Sequence, residues 1–97
     1  MKAYELLFFV APTISEETRV NVMTRIENTI TDAQGTVDNV DNWGKRKLAY
    51  EINGLTDGDY TLIDFHANPA DVAELDRILR ITDAVVRHMI VKREDRD

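Results

Sequence analysis

Apolar and polar positions alternate, or recur at helical spacing, in six successive segments. Residues 4–11 are almost wholly apolar. Leu6, Phe8 and Val10 share one side of an extended chain, and Leu7 and Phe9 the other. A strand apolar on both sides is expected at the centre of a sheet, and Pro12 ends it because proline has no amide to give a ladder. Ser15 then offers an N-cap, and Glu16 and Glu17 suit the positive end of a helix. Val22, Met23, Ile26, Ile30 and Ala33 follow at helical spacing, with Arg19, Arg25, Glu27, Asn28 and Asp32 on the opposite side. This predicts an amphipathic helix of about 18 residues, with Gly35 as its left-handed stop.

A second strand begins over 36–40, is interrupted at 41–44, and resumes over 45–52. Gly44 could supply a bulge or bend there. Residues 53–59 read as a loop, with Asp57-Gly58 as the turn signal. Residues 60–67 form a third strand whose cleaner apolar side is Ile63, Phe65 and Ala67. Asn68-Pro69 opens a second helix, Asn68 as N-cap and Pro69 in its first position, with Val72, Leu75, Ile78 and Leu79 as the buried stripe. Residues 85–91 form the last strand, and a charged tail expected to fray closes the chain. Strand, helix, strand, strand, helix, strand is the order of an α+β ferredoxin-like split βαβ sandwich. Two helices should cover one face of a four-stranded antiparallel sheet, with strands one and three central and the second at an edge. Residues 1–92 are expected to be one domain and 93–97 its short tail.

Composition agrees with a single domain: 97 residues, 43% of them hydrophobic. There are no cysteines, which removes disulfides and cysteine metal sites. The longest apolar run, 6–11, is far short of the roughly 20 residues a membrane helix needs. That run is also too short for a signal peptide, so a cytosolic protein is expected.

Charge changes the picture more. The formal net charge is -6, which argues against generic nucleic-acid binding. Yet Lys45, Arg46 and Lys47 stand together just after Trp43-Gly44. On an extended chain Arg46, Leu48, Tyr50 and Ile52 share one side, and Lys47, Ala49 and Glu51 the other. One reading is an edge strand that uses lysines to discourage pairing with other chains. The other is a phosphate-contacting ribbon on which Trp43 or Tyr50 could stack against a base. Catalytic chemistry finds no support. His66 and His88 lack metal-ligand spacing, no Walker loop follows Gly54 or Gly58, and no nucleophile motif surrounds Ser15.

These marks resemble a known family, the bacterial small ribosomal subunit protein S-six. They are Tyr4-Glu5 with Pro12, then Gly44, Arg46, Leu48, Ala49, Tyr50 and Ile52. Leu79-Arg80-Ile81, Asp83-Ala84-Val85, Arg87 and Met89-Ile90-Val91-Lys92 complete them, in order over about nine-tenths of the chain. Glu51 departs from the proline more usual in the family, and the tail lacks the long acidic extension of some members. The resemblance implies a non-enzymatic assembly protein, cytoplasmic and in the ribosome, without cofactor or metal. It would bind the central domain of small-subunit rRNA together with ribosomal protein eighteen, as a heterodimer. The expected rRNA contacts are Lys2, Tyr4, Arg46, Lys47, Arg87 and Lys92. Trp43 and Tyr50 are expected on the partner surface. For Tyr4 the structural alternative is a half-buried strand end, for Arg87 an internal salt bridge, and for Trp43 a cap on its own core. Because the chain is acidic, a basic partner would relieve repulsion from the RNA. The competing classes are a small enzyme or a ligand sensor on a dimeric α+β barrel. The enzyme would use His66 or His88 and a pocket lined by Phe8, Phe9 and Phe65.

Overall fold

The apolar strand at the start of the chain ends up flanked on both sides, as its two-sided pattern requires. In the order of the chain, a computed structural model describing residues 1–96 has β1 (Lys2–Val10), α1 (Glu16–Asp32), β2 (Thr36–Ile52) and β3 (Leu55–Ala67). After these come α2 (Pro69–Ile81), β4 (Val85–Lys92) and a short 3-10 turn, Glu94–Arg96. The four strands make an antiparallel sheet in the order β2-β3-β1-β4. Both helices pack on one face. There Tyr4, Leu6, Phe8 and Val10 meet Ile63, Phe65 and Ala67, together with Val22, Ile26 and Ile30 of α1 and Leu75 and Leu79 of α2. Leu6 stands opposite Ile63 and Tyr4 opposite Phe65, whose rings stack with centroids 5.6 Å apart. Burying each such side chain contributes about 1.5–3 kcal/mol, which makes this layer the main support of the fold. No described helix is long and apolar enough to cross a membrane.

Local chemistry fixes most of the boundaries. The Ser15 hydroxyl accepts the Thr18 amide at 3.1 Å and caps α1. At its other end the left-handed residue is Gln34 (φ 65°) rather than Gly35. The Gln34 amide donates to the Thr31 carbonyl and the Gly35 amide to the Ile30 carbonyl, which together satisfy the last turn. Pro69 does open α2, but the Asn68 side chain makes no capping bond.

Three expectations are corrected. The turn between β2 and β3 is Asn53-Gly54, both left-handed (φ 50° and 81°), with Ile52 paired to Leu55. Asp57-Gly58 lies inside β3, paired with Lys47 and Arg46. The two strands are therefore one long hairpin, and its residues 55–58 run past the end of β1, whose last β3 partner is Asp59. β2 is also continuous through 41–44, with register shifts instead of a break. Finally, the tail is not frayed over 93–96. The Arg93 amide donates to the Ala3 carbonyl at 2.8 Å, and the arginines Arg93 and Arg96 reach Glu5 and Asp64 at 2.7 and 2.6 Å. Asp97 lies outside the described residues.

Candidate nucleic-acid interface

The face of the sheet away from the helices carries a row of side chains at the hairpin end. Strand register puts Arg87 of β4 beside Phe9 of β1, Phe9 beside Tyr60 of β3, and Tyr60 beside Gly44 of β2. Between Asn42 and Gly44 the ladder shifts by one residue, with Gly44 at φ 78°. Trp43 is the extra residue of this bulge. It stacks on Tyr60 with centroids 6.2 Å apart, and Tyr60 meets Phe9 at 5.0 Å. The indole Nε1 donates to Asp41 Oδ2 at 3.3 Å. Phe9 is only 4% exposed and packs tightly over Gly58, whereas Trp43 is 38% exposed. Where the hairpin arm overhangs, an open cleft of about 420 Å³ is lined by Leu7, Phe9, Leu48, Tyr60, Arg87 and Met89.

Ion pairing separates this end from the rest of the molecule. Arg19 pairs with Asp59 and Glu16, Arg77 with Glu74, and Arg80 with Asp76. Lys92 is 3.8 Å from Glu94, and Arg93 and Arg96 hold residues 93–96, a C-terminal strap, over Glu5 and Asp64. By contrast, the side chains of Lys45, Arg46, Lys47 and Arg87 have no acidic partner among the described residues; Arg46 only donates to the Lys45 carbonyl at 3.3 Å. The other cation in that position is Arg25, on α1. An acidic protein thus leaves its unneutralised arginines and lysines concentrated at one end of the sheet.

The expected residues fall into two groups. Arg46, Lys47, Arg87, Trp43 and Tyr50 gather at the hairpin end, with Tyr50 64% exposed. Lys2 and Lys92 lie at the opposite end of β1, where Tyr4 pairs with Lys92. At about 3.4 Å per residue, Lys2 is roughly 24 Å from Phe9 along the strand. Tyr4 is 8% exposed with its ring against Phe65, so its aromatic face belongs to the core and is not offered for stacking. Among the described residues Arg87 does not form the internal salt bridge that was its alternative. β2 is the edge strand, as the pattern requires, but its register shifts leave only short regular runs for a partner strand to pair with. Sequence reasoning missed Tyr60 and Phe9 as the backing of Trp43. The signal was their place opposite each other in the ladder, which depends on a register no local pattern fixes.

Both histidines are committed elsewhere. His66 Nδ1 is 2.5 Å from Asp38 Oδ2 and His88 Nε2 is 2.7 Å from Asp76 Oδ1. The two histidines lie on opposite faces of the sheet, since His66 pairs with Ala3 and His88 with Phe8. No group of three metal-binding side chains forms among the described residues. In the strap, hydrogen bonding to Arg93 holds the Asp95 carboxyl below its ordinary range, and Asp95 in turn raises Arg93.

Comparison with known proteins agrees with this architecture. A family model described as Ribosomal protein S6 matches residues 3–92. The small ribosomal subunit protein bS6 of Clostridium perfringens is 50% identical over 94 residues, covering 97% of this chain and 99% of its own. That of Clostridium botulinum strain Hall is 49% identical, covering 97% and 100%. The crystal structure of 30S ribosomal protein S6 from Thermotoga maritima superposes with a TM-score of 0.90 at 36% identity, over 97% of this chain and 89% of that one. The C-terminal domain of the MgtC protein from Mycobacterium tuberculosis, at a TM-score of 0.65 and 14% identity, shares the fold alone.

Proposed function

Because the chain belongs to the ribosomal protein S6 family, whose members are structural and non-enzymatic constituents of the small ribosomal subunit, we propose that it binds the central domain of the small-subunit rRNA jointly with ribosomal protein eighteen, as a heterodimer. On this reading it works in the cytoplasm, within the ribosome. The observation that supports RNA contact is the set of cations without acidic partners among the described residues, Lys45, Arg46, Lys47 and Arg87, gathered at one end of the sheet of an acidic protein. Affinity for RNA depends on phosphates neutralised and not on total charge, so a few free cations in one place suffice for a contact. Lys2 and Lys92 serve as a second contact at the far end of β1. The partner is expected on the uncovered sheet face, where Tyr50 and Met89 (56% exposed) present apolar surface beside the cleft. Its positive charge would offset the acids that weaken binding by this chain alone.

The test is titration of central-domain rRNA with this chain, alone and with ribosomal protein eighteen, over a salt series. Tight, salt-sensitive binding is expected with the partner and weak binding without it. Arg46→Ala and Arg87→Ala should each weaken joint binding and reduce the salt slope by about one. Equal binding without the partner would remove the joint part of the proposal. No binding in either case would remove the RNA part.

A further inference from the structure

The hairpin end holds more than free charge. Trp43 lies with one ring face on Tyr60, which is itself backed by Phe9, so the indole rests on two further rings. Its N–H donates to Asp41, which opposes rotation of the ring. A second cleft, about 240 Å³, opens at this edge, and its walls are Trp43, Tyr60, Arg46 and Lys47. Neither cation of the cleft is spent on an acid. Asp57, opposite Lys47 in the ladder, accepts from the Thr56 hydroxyl at 3.3 Å instead of from the lysine.

A fixed, partly bare aromatic plane beside two free cations is suited to one kind of RNA feature. In an A-form duplex the base faces are already stacked on one another, and a side chain reaches only phosphates, hydroxyls and edges. A duplex would use Arg46 and Lys47 but leave the indole idle. An unpaired nucleotide uses all three, since its base can stack on an aromatic face while its phosphates meet the cations. A protein segment seated here would have to bring carboxylates for both cations or leave them buried and unpaired, which is costly. We propose that Trp43, Arg46 and Lys47 form a binding site for a single unpaired RNA nucleotide, with the base on Trp43 and its phosphates on the two cations. This rests on the RNA reading above and specifies which element of the RNA meets the hairpin end.

Trp43 is the only tryptophan in the chain and so reports on its own site. The experiment follows its emission, with the Trp43→Phe protein as the blank, first on adding ribosomal protein eighteen and then on adding central-domain rRNA. The expected result is quenching at the RNA step. Trp43→Leu should weaken RNA binding about 10-fold or more, and Trp43→Phe, which keeps a ring, by about 3-fold or less. Both variants should bind ribosomal protein eighteen as the parent does. RNA binding that remains sensitive to Arg46→Ala but indifferent to Trp43→Leu would overturn the proposal, because the cations would then be meeting a backbone alone. An emission change complete at the protein step, with Trp43→Leu weakening the heterodimer, would also overturn it and make Trp43 a protein anchor. Failure of the parent chain to bind any rRNA would overturn the underlying reading and this proposal with it.

Discussion

Replacing Gly58 by alanine should destabilise the protein through one contact. Gly58 is in the hairpin arm with a negative φ, so its backbone would accept any residue. The obstacle is Phe9. A Cβ at position 58 would lie 2.6 Å from Cδ1 of that ring, 2.9 Å from Cγ and 3.2 Å from Cε1. Carbon atoms prefer separations of about 3.5–4.0 Å, so the overlap is close to 1 Å. Phe9 cannot swing into solvent without losing its burial, and Tyr60 stands against it at 5.0 Å. Overpacking of this kind costs about 1–3 kcal/mol, while reduced freedom of the unfolded chain returns about 0.4–1 kcal/mol. The net expectation is a loss of about 1–2 kcal/mol, or a fall of about 4–8 °C in Tm for each kcal/mol. Urea unfolding measures it as a lowered midpoint at constant slope. The companion is Phe9→Leu, whose smaller side chain should absorb part of the Gly58→Ala penalty and give a coupling of at least about 0.5 kcal/mol. An alanine variant as stable as the parent, or a penalty unchanged in the Phe9→Leu background, would refute the reasoning.

Two further outcomes test the layers on either side of the sheet. Leu75→Ala, at a position 2% exposed between α2 and the sheet, should cost about 2–5 kcal/mol in denaturant titration; a cost below about 1 kcal/mol would mean the site collapses to fill the gap. The C-terminal strap should loosen in acid. Arg93 holds the Asp95 carboxyl below its ordinary range, so the contribution is present above the ordinary aspartate value and is lost as pH falls through the lowered one. Hydrogen exchange at the Arg93 amide, which donates to Ala3, should therefore quicken on acidification relative to core amides. Protection kept in full at about pH 2 would refute the link.

The parts of this molecule that could be read from the sequence are those decided within a few residues. The two-sided apolar run of β1, the Ser15 cap and the helical stripe of α1 each stem from local periodicity, and each formed where expected. The edge position of β2 followed from topology. What escaped was decided at longer range. Asp57, Gly58 and Asp59 read as loop because the hairpin arm has few apolar positions, yet pairing with β2 makes them strand. Asn53-Gly54 and Asp57-Gly58 are comparable turn signals, and only the pairing of Ile52 with Leu55 selects the first. The strap joins Arg93 to Glu5, residues at opposite ends of the chain, and no local pattern could announce it. At the candidate site the basic cluster was visible, but the rings behind Trp43 and the want of an acidic partner for Arg87 among the described residues depend on register.

The strand order also bears on how the chain is made. β1 is synthesised first, but it is central, and its neighbours are residues 55–67 and 85–92. The strand that emerges earliest must wait for the one that emerges last, and until then a flat apolar ribbon has at least one bare edge. Nothing short of almost the whole chain can close the sheet. Folding should therefore begin late, depend on contacts distant in sequence, and proceed more slowly than in a helical protein of the same size. Nascent or truncated chains that lack the last strand would be the species most prone to associate with one another.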